Sequence, residues 1–80
     1  MNRSFELIQQ GGRQLEVRAS TVGGTVQVWI LEDGKPLELH SAISLQQVAD
    51  AKTSGQDMID MIMQAVRSDL ETGKLIVPRH

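Results

Sequence analysis

The sequence predicts an α+β fold: a four-stranded antiparallel β-meander followed by a kinked or two-part helix packed on one sheet face. Three observations carry that reading. The pairs Gly11-Gly12, Gly23-Gly24 and Asp33-Gly34 fall about one strand apart, and each separates segments of alternating polarity. From Leu45 onward the apolar spacing changes from period two to the period of a helix. Finally, 80 residues without cysteine are the size of one domain, held by an apolar core with no disulfide.

Strands are predicted at about residues 4–10, 14–22, 25–32 and 35–41. A two-residue hairpin at Gly23-Gly24 pairs Thr21 with Val26, Ala19 with Val28 and Val17 with Ile30, and sets Arg18 beside Trp29 on the opposite face. A two-residue loop at Asp33-Gly34 pairs Ile30 with Leu37, Val28 with Leu39 and Trp29 with Glu38. At the first turn a two-residue loop would push Phe5 and Leu7 onto the polar face. A three-residue loop, Gly11-Gly12-Arg13, instead pairs Leu7 with Val17 and Phe5 with Ala19. Two core layers follow, one of Leu7, Val17, Ile30 and Leu37, the other of Phe5, Ala19, Val28 and Leu39.

A helix over about 45–53 starts with Ser44 as N-cap, Gln47 three residues on, and Ile43 and Val48 as a hydrophobic staple. Ser54-Gly55 interrupts it, and Ser54 with Asp57 forms a second capping signal for a helix over about 55–72. There Met58, Ile59, Met61, Ile62, Ala65, Val66 and Leu70 make a broad apolar stripe, one flank of which a single sheet need not cover. Asp69 projects from that stripe, so the last turn is expected to overhang the sheet with the carboxylate in water. Gly73 stops the helix, and Leu75 is placed to touch its last turn. Leu75-Ile76-Val77 is either a short fifth strand or a packed tail, ended by Pro78.

Composition removes several functional classes. Without cysteine there is no thiolate zinc site and no thiol nucleophile. Met1-Asn2-Arg3-Ser4-Phe5 runs into alternating residues and not into an apolar signal core, so a cytoplasmic location is expected, with no membrane partner. The net charge is −2 and the eight basic residues never form a block, which argues against nucleic acid as the default partner.

No catalytic, metal or cofactor signature emerges, and none of the three is expected. His40 stands two positions from Glu38 on one strand, but nothing at a metal-ligand spacing completes a site, and His80 is terminal. Ser20, Ser41 and Ser44 lack a nucleophile-elbow context, and capping explains Ser44. Asp57, Asp60 and Glu71 read as a solvated helix face. The glycine pairs lead from strand to strand, whereas phosphate loops lead into a helix.

The outward sheet face is the informative feature. The predicted registers align Glu6, Arg18, Trp29 and Glu38 in one row, with Arg18 stacked against the indole, and place Leu31 and Ile8 on either side of Trp29, with His40 further along the fourth strand. A lone tryptophan beside aliphatics and rimmed by charge has the anatomy of an interface anchor. The expected function is that of a non-enzymatic interaction module that binds a protein partner or a second copy of itself. It would use Trp29, Leu31, Ile8, Arg18, Glu38 and His40, a sheet edge, or both. The alternative is nucleic-acid binding, with Trp29 stacking a base and Arg3, Arg13, Arg18 and Lys35 on phosphates.

Overall fold

Alternating strands joined by tight reversals produce an antiparallel sheet, and the computed structural model, which describes residues 2–8 and 12–77, shows one. Its strands β1 (Asn2–Ile8), β2 (Gln14–Val22), β3 (Thr25–Glu32) and β4 (Lys35–Ser44) lie in the order β1-β2-β3-β4. Helices α1 (Leu45–Thr53) and α2 (Met58–Thr72) follow. Residues 9–11, where β1 was expected to end and the first loop to begin, lie outside the described residues, as do Pro78 and His80.

The β2–β3 register is the predicted one, with Val17 opposite Ile30, Ala19 opposite Val28 and Arg18 opposite Trp29. Gly23 takes φ 61, the positive value that the first central residue of a type II′ hairpin turn requires. At the next reversal both central residues are left-handed, Asp33 at φ 54 and Gly34 at φ 76, as in a type I′ turn whose twist matches the flanking strands. Glu32 then faces Lys35 and Leu31 faces Pro36, so this two-residue loop is also as predicted.

Beyond the loop β4 departs from expectation. Two register shifts set Ile30 opposite Glu38, Trp29 opposite Leu39 and Val28 opposite Ser41, so that Leu37 and His40 are supernumerary residues of β4. Each bulge moves the pairing by one residue, and the second restores the face set by the turn, bringing Ile43 opposite Val26. The consequence is a division of β4 between the two faces. Leu37 and Ile43 pack against the core, whereas Leu39, expected inside with Val28, stands 42% exposed beside Trp29.

The β1–β2 pairing differs from the expected three-residue loop by two residues, with Leu7 opposite Leu15 and Phe5 opposite Val17. A shift of two keeps every side chain on its predicted face. It also gives Leu15, which the expected register set against Gln9, an apolar partner, and Leu15 is 1% exposed. Phe5 gains a β-branched neighbour in Val17.

The core is a single cluster in which inward residues of β1–β3, among them Leu15, Val17, Val28 and Ile30, meet Ile59, Met63, Val66 and Leu70 of α2. These four helix positions are spaced 4, 3 and 4 apart, a narrower seam than the predicted stripe. Met61, placed in that stripe, is 56% exposed, and Met63, omitted from it, is 4% exposed. Ala65 is exposed, and Asp69 is half-buried.

Ser44 caps α1 through the predicted reciprocal box: its hydroxyl accepts from Gln47 N at 3.1 Å, and Gln47 Oε1 accepts from Ser44 N at 3.2 Å. Helix α1 buries no residue completely, and Leu45 N donates to Gly24 O at 3.0 Å, tying its start to the β2–β3 turn. The break at Ser54-Gly55 occurs, but the second cap is Asp57 and not Ser54. Asp57 Oδ1 accepts from Asp60 N at 3.0 Å, so α2 begins at Met58. Gly73 ends α2 in the left-handed conformation, and Leu75 N donates to Asp69 O at 3.1 Å. Among the described residues, 74–77 form a packed tail without strand pairing: Val77 is 2% exposed and belongs to the core cluster. Among the described residues, no helix is long and apolar enough to cross a membrane.

Candidate docking surface on the open sheet face

Both helices lie on the side of the sheet that carries Val17, Val28 and Ile30, which leaves the opposite face without a covering layer among the described residues. Cross-strand partners share a face, so the registers order this surface into rows. One row runs Ser4, Arg18, Trp29, Leu39, and the next runs Glu6, Glu16, Leu31, Pro36. The face is therefore split lengthwise. Its β1–β2 half is polar and charged, and its β3–β4 half carries the indole, two leucines and a proline.

These rows replace the single row of Glu6, Arg18, Trp29 and Glu38. The two-residue shift of β1 brings Ser4 beside Arg18, and the β4 bulges bring Leu39 beside Trp29. Glu38 pairs with Ile30 on the covered side, and its Oε2 is buried without a hydrogen-bond partner among the described residues. Arg18 does not stack on the indole; its Nε and Nη2 each meet Glu16 Oε2 at 2.8 Å. The indole Nε1 of Trp29 donates along its own strand to Gln27 Oε1 at 3.0 Å, and the ring stays half-buried. The cation over a ring is elsewhere: Arg67 lies 5.5 Å from the centroid of Phe5.

Leu31 is only 4% exposed although it stands outside the core cluster. It forms the floor of the patch, between Glu16 and Pro36 across the strands and two residues from Trp29 along β3, and it offers little area of its own. Ile8 is 73% exposed but pairs with Gln14, a row removed from Leu31, and lines a separate concavity of about 380 Å³ with Leu70, Leu75 and Ile76. His40 is an exposed bulge residue whose Nδ1 lies 2.6 Å from Ser41 Oγ, and the bulge breaks the alternation that put it on one face with Glu38. Among the described residues, no three His, Cys, Asp or Glu side chains converge as metal ligands.

The accessible apolar set is thus Trp29, Leu39 and Pro36 over Leu31, and one of its members was not legible in the alternation. Leu39 has the parity of an inward residue, and only the bulges turn it outward. Glu16, paired with Arg18, borders the patch at Leu31, as the β2–β3 turn predicts.

Electrostatics grade along the strands. Glu6 and Glu16 stand directly opposite one another, a like-charge pair that two donors of β2 relieve: Gln14 Nε2 reaches Glu6 Oε2 at 3.1 Å, and Arg18 holds Glu16. With Asp33 they line a shallow concavity of about 150 Å³ at the β3–β4 turn, so this end of the face is acidic and Arg18 supplies positive charge one row away. Arg13 forms a two-pronged pair with Glu32, Nε to Oε2 at 3.1 Å and Nη2 to Oε1 at 3.0 Å, and these hydrogen bonds donated to Glu32 hold its proton more tightly than usual. Arg3 Nη1 meets Asp57 Oδ2 at 2.7 Å; the Asp60 amide first, and then Arg3, hold the Asp57 carboxyl below the ordinary aspartate range. Arg3, Arg13 and Arg18, assigned above to phosphate contacts, therefore each carry a carboxylate partner.

Comparison with protein families, curated proteins and solved structures finds no match to this chain.

Proposed function

We propose that the chain is a non-enzymatic protein-interaction module that docks through the β3–β4 half of its open sheet face, with Trp29 and Leu39 as anchors and the Arg18–Glu16 pair as the polar rim. The observation that supports it most directly is the placement of Leu39. A bulge sets an aliphatic side chain, 42% exposed, beside the one tryptophan on the side that neither helix covers. Half-buried aromatics over a packed floor, flanked by charge, are the usual build of a binding hot spot. Pairing of the three arginines with carboxylates speaks against phosphate tracking and hence against nucleic acid.

The test compares capture of binding proteins by the immobilised full chain and by its Leu39→Asp variant, with circular dichroism confirming the same fold. Loss of specific captured proteins, or of self-association, in the variant supports the reading. Identical capture and identical solution mass for both proteins refute it.

A further inference from the structure

The two rows of the open face are complementary to each other. Turned over about an axis that runs across the strands between them, the Arg18–Trp29–Leu39 row comes to lie on the Glu16–Leu31–Pro36 row of an identical surface. Arg18 then meets the second copy's Glu16, the indole covers the second copy's Leu31, and Leu39 meets Pro36. Both halves of the contact are formed at once, as a two-fold interface demands. We propose that the occupant of this face is a second copy of the chain, packed sheet on sheet as an antiparallel sandwich with aligned strands. This rests on the docking reading above and supplies its partner.

Charge and area both bear on the choice. Arg18 keeps 45% of its side chain exposed despite its bond to Glu16, so the guanidinium can meet a second carboxylate. The acidic excess at the Glu6–Glu16 end gains a cation from the other copy. Four strands about 4.8 Å apart and about eight residues long at about 3.3 Å each would bury about 1,000 Å² in total, the lower end of specific interfaces. Association is accordingly weak and depends on concentration.

Sedimentation equilibrium of the full chain, from micromolar to submillimolar concentration, is expected to show a monomer–dimer equilibrium that salt weakens. Arg18→Glu and Glu16→Arg should each weaken self-association by about tenfold or more, because like charges then face one another. Mixing these two variants should restore dimers, since two acidic side chains on one copy now oppose two arginines on the other. Wild type that stays monomeric throughout the range overturns the proposal, and so does a mixture no better associated than its components. Monomeric wild type whose Leu39→Asp variant still loses a captured protein leaves the docking reading standing and removes only the second copy. A dimer unaffected by Leu39→Asp, Arg18→Glu and Glu16→Arg removes both.

Discussion

Arg13 grips Glu32 with a two-pronged pair, and its remaining Nη1 donates to the carbonyl of Val77 at 2.6 Å. One guanidinium, 9% exposed, thereby joins the start of β2, the end of β3 and the tail that follows α2, segments 19 and 64 residues away in sequence. Arg13→Lys, which keeps the charge but loses the fork, should lower the Tm by several degrees and release the tail. Hydrogen exchange at the amides of 75–77 that remains as slow as in wild type would contradict this.

The register of β1 sets a second expectation. Leu15 pairs with Leu7 and is 1% exposed, so Leu15→Ala should cost about 2–5 kcal/mol in urea unfolding. If Leu15 instead stood opposite Gln9 at the loop, the loss would fall well below that range.

The orientation of α2 is tested by two methionines two residues apart. Met63→Ala should cost about 2–5 kcal/mol, whereas Met61→Ala should stay within about 0.5 kcal/mol. Equal losses would mean that the helix is rotated from the seam formed by Ile59, Met63, Val66 and Leu70.

Asp57 predicts a pH dependence. Its folded pKa is depressed, so its contribution is complete above the ordinary aspartate value of about 4 and disappears as pH falls through the lower folded value. Asp57→Asn keeps a capping acceptor but loses the charge that meets Arg3. The variant should be less stable than wild type at neutral pH, with the difference closing below about pH 4. A difference that is constant through that window would exclude the carboxylate as its source.

Ser44 is the cap of α1, a helix with no fully buried side chain to hold it. Ser44→Ala should cost about 1 kcal/mol and accelerate amide exchange in α1 ahead of α2. Uniform acceleration across both helices would show that the two unfold as one.

Much of this fold is legible where local chemistry decides. The turns at Gly23 and at Asp33-Gly34, the capping box of Ser44 and the stop at Gly73 depend on residues a few positions apart, and each stands where the residue types put it. Face assignment survives even in β1, because the two-residue shift preserves parity. What alternation does not carry is a bulge. Leu37, Leu39 and Ile43 have the same parity, yet Leu39 alone lies on the open face, because only the paired strand determines where the extra residues sit. The docking surface was thus half readable: Trp29 and Arg18 follow from the β2–β3 turn, whereas Leu39 depends on pairing with β3. The helix seam failed for a similar reason, since Met61 and Met63 are equally apolar and the sheet selects between them.

The supernumerary Leu37 and His40 have a further consequence for the rims of the meander. With Pro36 beside them, they deprive β4 of a straight, evenly spaced ladder of outward amides and carbonyls, so its free rim is a poor template for another chain. Head-to-tail growth, in which one molecule's β1 extends the next molecule's β4, is blocked at one end. Rim-to-rim pairing is left only as β1 with β1, a contact that by itself closes after two molecules.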